Sequence, residues 1–170
     1  MTNKKIIIAG GTGFIGQGLC NYFGVDNQII ILTRQLPGQK TNAFGEHTIN
    51  QSAAKNIRYI NWDGVNQGEW SKEMNGAAMV INLAGKTVNC RYNKKKKKEI
   101  FDSRTNSVKA IGFAIQQSSQ PPKLWINAAS ATIYPHATNI ARDENFTDFD
   151  NDFSIQVCKI WENTFYGQRT

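Results

Sequence analysis

The chain has 170 residues, 40% of them hydrophobic and 19% charged, an ordinary composition for a soluble domain large enough to bury one core. No stretch approaches the apolar length of a membrane span, and the opening apolar run is too short for a signal peptide and is needed for the fold, so no membrane partner and a cytoplasmic location are expected. Net charge is +7, but five of the positives form one run, Lys94–Lys98, without which the balance is +2; three scattered cysteines (Cys20, Cys90, Cys158) argue against a disulfide framework or a zinc site.

The first predicted strand is Lys4–Ala9, which runs directly into Gly10-Gly11-Thr12-Gly13-Phe14-Ile15-Gly16. A helix over Phe14–Phe23 follows. Strand, glycine turn and helix form the context in which a glycine triplet of this spacing acts as a dinucleotide-binding fingerprint. Gly10 permits the tight turn, Gly13 lets a pyrophosphate approach bare backbone, and Gly16 lets the helix pack closely on the strand. The helix start offers free N–H groups and a positive dipole end to phosphates.

Gln28–Thr33 is the second strand. Residues 34–55, with Pro37, Gly38 and Gly45, read as a long loop. Asn56–Trp62 is the third strand, Val65–Asn75 a short helix, and Ala77–Ala84 the fourth strand. A long helix spans Asn93–Gln117, with Ile100, Phe101, Val108, Ile111 and Ile115 at helical spacing. Pro121 and Pro122 end it, Lys123–Ala129 is the fifth strand, and Asp152–Tyr166 the last helix. Strands alternating with helices predict an α/β fold: a Rossmann-like, doubly wound parallel sheet of about five strands with helices on both faces. Near-continuous apolar strands fit burial on both faces. Ligands of such sheets bind outside the carboxyl ends of the strands. Residues 10–16, Thr33-Arg34, Asp63, Ala84–Lys86 and Ser130–Tyr134 all fall there.

These residues resemble an extended short-chain dehydrogenase/reductase of the NAD-dependent epimerase/dehydratase superfamily. More specific are Asn82-Leu83-Ala84-Gly85, Arg91-Tyr92, Lys98-Glu99-Ile100, Ser103-Arg104, Phe153, Cys158 and Trp161-Glu162. Together they resemble the epimerase-like family of class 39U, whose bacterial members are labelled nucleoside-diphosphate sugar epimerases or cell-division inhibitors. The resemblance covers the whole chain, read as one cofactor-binding domain over residues 1–170. Members of that family run well beyond this length. The later substrate-binding part is therefore expected to be missing, with the chain stopping near a sixth strand at Gln168-Arg169-Thr170, and the chain alone is expected to bind cofactor weakly and to turn nothing over.

NADP is expected as cofactor in preference to NAD. The second strand ends in Leu32-Thr33-Arg34, without the acidic residue that binds a ribose 2′-hydroxyl, and the planar fork of Arg34 suits a 2′-phosphate. Asp63 is either an acceptor for the adenine amino group or a turn residue before Gly64. The resemblance implies that Thr33, Arg34, Leu83, Ala84, Glu99 and Arg104 contact NADP.

Ser130 resembles the superfamily serine that holds the substrate oxygen. The usual Tyr-x-x-x-Lys pair is absent: aligning Glu162 with its counterpart puts Ser154 at the tyrosine position and Cys158 at the lysine position. Serine is a far poorer proton donor than a phenol, and a thiol carries no fixed positive charge. Tyr134, followed by Pro135-His136, is the better-placed donor, or else a packing aromatic. Tyr92 and Lys96 match the pattern formally but precede Ser130. The lone-standing histidines are His47 and His136, and Cys158 reads as a buried small hydrophobe rather than a nucleophile.

Three functions follow: an NADP-dependent oxidoreductase or epimerase on a small-molecule or sugar-nucleotide substrate, a cofactor-binding pseudoenzyme, or a basic nucleic-acid module. The third is disfavoured because five adjacent lysines wrap around a helix without interleaved aromatics. The long helix occupies a position that pairs into homodimers in the superfamily, and core packing explains its apolar face equally well.

Overall fold

A computed structural model describes residues 1–36, 51–138 and 141–168. Most of the expected loop (37–50, with Pro37, Gly38, Gly45 and His47) and the terminal Arg169-Thr170 lie outside the described residues. The elements are β1 (Lys5–Ala9), α1 (Phe14–Phe23), β2 (Gln28–Thr33), α2 (Gln51–Ala54), β3 (Ile57–Asn61), β4 (Met79–Asn82), α3 (Lys94–Gln116), β5 (Leu124–Asn127) and α4 (Phe153–Tyr166). The five strands form one parallel sheet in the order β3-β2-β1-β4-β5.

Strand periodicity sorts the core into two layers. Ile7, Ala9, Ile30, Leu32 and Val80 meet Ala110, Ile111, Ala114 and Ile115 of α3 on one face. Ile6, Ile8, Ile29, Ile31, Met79 and Ile81 meet Cys20 of α1 on the other. The isoleucines of β1 and β2 are fully buried, each contributing about 1.5–3 kcal/mol relative to exposure. Both faces being covered explains why β1 and β2 read as unbroken apolar runs. β3 and β5 form the edges, where half-buried and exposed residues alternate or nearly so.

Two local expectations change. Residues 65–75 do not form an α-helix; a 3-10 segment spans Glu69–Met74, its Trp70 and Met74 buried under α3. The carboxylate of Asp63 accepts the N–H groups of Val65 and Asn66, both at 2.8 Å, and this turn takes the place of the expected first helical turn. The expected loop ends in the short helix α2. A second 3-10 segment, Ala131–Ile133, follows β5.

α3 starts where Asn93 accepts the Lys96 N–H at 2.9 Å. Among the described residues no helix is long and apolar enough to cross a membrane.

Candidate dinucleotide-binding site

The carboxyl ends of β1, β2, β3 and β4 enclose a cleft of about 670 Å³. Gly10, at φ +78°, turns the chain off β1; a Cβ there would lie 3.0 Å from the backbone of Leu83, so the loops after β1 and β4 touch through bare backbone. Gly13 is different. A Cβ at Gly13 would find only the Gly10 carbonyl, at 3.5 Å, because its open side faces the cleft it lines. Gly16 is sealed: a Cβ would sit 2.5 Å from Gly11 Cα, which is what brings α1 down onto the turn. Among the described residues no side chain caps α1 and its first turn carries no acid, so the dipole end is available to an anion.

Gly10, Thr12 and Gly13 line the cleft from β1, Thr33 and Arg34 from β2, Asp63 from beyond β3, and Leu83, Ala84 and Gly85 from β4. Sequence reasoning missed several of their neighbours. Trp62, 4% exposed, floors the cleft, and its position directly before Asp63 was the available signal. Asn61 donates to the Arg34 carbonyl at 3.3 Å and Thr33 Oγ1 accepts the Gln35 N–H at 3.3 Å, so the arginine's backbone is held from both sides. Lys86, Thr87 and Ser103 line the β4 side.

Asp63 lies at the rim, but its carboxylate caps the following turn, with Asn66 Nδ2 on its second oxygen at 2.6 Å. Hydrogen bonds from the Asn66 and Val65 backbone, then from the Asn66 side chain, hold its pKa below the usual carboxylate value. Gly64, at φ +87°, completes that turn.

Phe14 and Ile15 are exposed at the start of α1, 90% and 64%, beside the cleft rather than in its lining. Glu99 and Arg104 stand behind it on α3. Glu99 pairs with Lys86 at 3.1 Å and Lys96 at 3.2 Å, and these contacts lower its pKa, the hydrogen bond to Lys86 first. Arg104 packs over the Trp161 ring at 5.2 Å, and burial lowers its pKa, with Cys158 and Tyr92 near enough to oppose the shift.

Ser130 and Tyr134 do not line this cleft. The Ser130 hydroxyl accepts the Thr132 N–H at 3.3 Å and lies 2.9 Å from Thr132 Oγ1, which is itself 3.4 Å from Cys158 Sγ. The structure thus joins the end of β5 to Cys158 of α4 through Thr132. Cys158 is 4% exposed, as expected of a buried small hydrophobe. Tyr134 packs against Phe146 and Phe149, ring centroids 6.1 and 6.5 Å away. Tyr92 packs edge-on against Phe153 at 5.2 Å, while Lys96 serves Glu99. A second hollow, of about 830 Å³, lies at the opposite, amino ends of the strands, lined by Lys4, Asp26, Lys55, Arg58 and the turn glycine Gly76.

The sheet order, the glycine turn and the cleft at the strand ends define a Rossmann-like dinucleotide-binding domain. The model of the NAD dependent epimerase/dehydratase family matches residues 6–155, and the chain belongs to that family. It is 30% identical over 159 residues to the epimerase family protein YfhF of Bacillus subtilis, covering 93% of this chain and 48% of that one. With the epimerase family protein SAB0724c of Staphylococcus aureus it shares 31% over 160 residues, 94% and 48% of the two chains. Among solved structures it is similar to human epimerase family protein SDR39U1 with NADPH (TM-score 0.71, 24% identity, 95% and 48% coverage). It is also similar to UDP-glucuronic acid 4-epimerase of Bacillus cereus with NAD (TM-score 0.72, 16% identity, 95% and 51%). The chain spans about half the length of the curated relatives it matches.

Proposed function

We propose that this chain forms the NADP-binding part of an epimerase-like protein whose chemistry is hydride exchange with a carbinol or ketone of a small or sugar-nucleotide substrate. The observation that carries the cofactor half is the pairing of the open Gly13 cradle with Arg34 across one cleft. The chain's own residues supply three things. The uncapped α1 start receives a pyrophosphate, with Gly13 leaving room for it. Arg34, its backbone fixed by Asn61, takes the 2′-phosphate in paired, charge-assisted bonds. Trp62 and Leu83 give the cleft apolar walls. A bound nicotinamide would supply the hydride chemistry.

Calorimetry of the chain with NADPH and NADH tests this. NADPH is expected to bind at least about tenfold tighter, and Arg34→Ala to erase the difference, because one charge-assisted contact is worth roughly that factor. Equal affinities in the parent chain overturn the NADP assignment.

A second reading, an NADP-binding sensor without turnover, is supported by the thiol of Cys158 standing buried against Thr132 where a lysine would act. It predicts tight cofactor binding and no substrate-dependent change in NADPH absorbance in a protein carrying the remaining half.

A further inference from the structure

Three groups of α3 converge on one residue of the loop after β4. Ser103 Oγ accepts the Lys86 N–H at 2.9 Å. Arg104 Nη1 donates to the Lys86 carbonyl at 3.2 Å. Glu99 Oε2 takes the Lys86 ammonium at 3.1 Å. Backbone and side chain of Lys86 are therefore both held, which restricts rotamer freedom that a loop lysine ordinarily keeps. Of the four residues, Lys86 and Ser103 line the cleft, whereas Glu99 and Arg104 do not.

Among the described residues lining the cleft, the cations are Arg34 and Lys86. They stand on opposite sides of the glycine turn, because the sheet runs β2-β1-β4. A dinucleotide with its 2′-phosphate at Arg34 and its pyrophosphate at the turn would extend toward β4 and Lys86. We propose that Lys86 is the cation of the nicotinamide half of the site: its ammonium donates to the ribose hydroxyls there, and Glu99 and Arg104 are positioning residues that act through it. An ammonium has three N–H donors, and the Glu99 carboxylate uses one, leaving donors for a diol. The proposal rests on the dinucleotide reading above.

The two are separable by comparing NADPH with 2′,5′-ADP, which carries the 2′-phosphate and no nicotinamide ribose. Affinities are read by NMR titration of the 170-residue chain. Lys86→Gln is expected to weaken NADPH about tenfold and to leave 2′,5′-ADP unchanged, which also shows the variant to be folded. Lys86→Arg should restore part of the loss. Glu99→Gln should weaken NADPH alone, and the double variant should bind no worse than Lys86→Gln, since residues acting as one unit are not additive. Unchanged NADPH affinity in Lys86→Gln, equal losses for both ligands, or additive losses in the double variant overturn the proposal. If neither ligand binds the parent chain, or Arg34→Ala leaves 2′,5′-ADP unaffected, the dinucleotide reading falls and takes this proposal with it.

Discussion

Alanine at Gly16 and alanine at Gly18 should move stability in opposite directions, although both sit in α1 two residues apart. At Gly16 a Cβ would lie 2.5 Å from Gly11 Cα and 2.7 Å from its carbonyl carbon and oxygen. All three are backbone atoms, so relief requires α1 to lift from the turn or the turn to shift. Overpacking of this kind costs about 1–3 kcal/mol. For a domain of this size that is a fall in Tm of roughly 2–12 °C, at about 2–4 °C per kcal/mol. At Gly18 a Cβ would meet nothing within 4 Å, and the residue is exposed in mid-helix. There alanine gains about 0.5–1 kcal/mol by reducing backbone entropy loss, a rise of roughly 1–4 °C. Thermal unfolding followed by circular dichroism, checked by urea titration, gives both numbers. A Gly16→Ala variant as stable as the parent, or the same sign at both positions, would refute the claim that the third glycine exists to seat the helix.

Cys20 and Cys158 are 0% and 4% exposed, and burial pushes the Cys20 thiol up to about 12. Thiol titration at pH 8 should therefore find Cys90 alone reactive in the folded chain and all three cysteines in denaturant. Asp63→Asn should be less stable than the parent at neutral pH. Because the folded pKa of Asp63 is lowered, this difference is complete above the ordinary carboxylate range and disappears as pH falls through the lowered value; urea midpoints at pH 7 and pH 2 measure it. Asn82 is fully buried, donating to Asn127 Oδ1 at 2.7 Å and accepting the Ala84 N–H at 3.1 Å. Asn82→Ala leaves those partners unmet and should cost about 1–3 kcal/mol in urea unfolding.

Much of this architecture is legible in the chain because its inner strands are buried on both faces. Unbroken apolar runs such as Ile6–Ala9 and Ile29–Leu32 are short and rich in β-branched residues, which favours buried strands, and α1 and β2 match their expected limits residue for residue. The 3-10 segment at Glu69–Met74 was less legible because Trp70 and Met74 are spaced as in an α-turn. The Asp63 carboxylate, not periodicity, sets the chain's direction there. The glycine turn was readable because its close backbone contacts demand one residue type at each place, and Arg34 because it directly follows β2 at the cleft. Lys86 was readable as part of the Ala84–Lys86 loop at the strand ends, but not the grip on it of Glu99, Ser103 and Arg104, from a helix 13 to 18 residues on. Ser130 was singled out by resemblance and Tyr134 by its place after the fifth strand. Their neighbours, Thr132 and the Phe146–Phe149 pair, come from segments with no periodic pattern to announce them.

An amide-resolved NMR titration with NADPH tests the seating of a pyrophosphate most directly. Saturable shifts concentrated at Gly11–Gly16, with a second group at Thr33–Gln35 and a third at Ala84–Thr87, are the expected result. Shifts centred on Lys4, Lys55 and Arg58 at the other end of the sheet, or none at millimolar ligand, would contradict it.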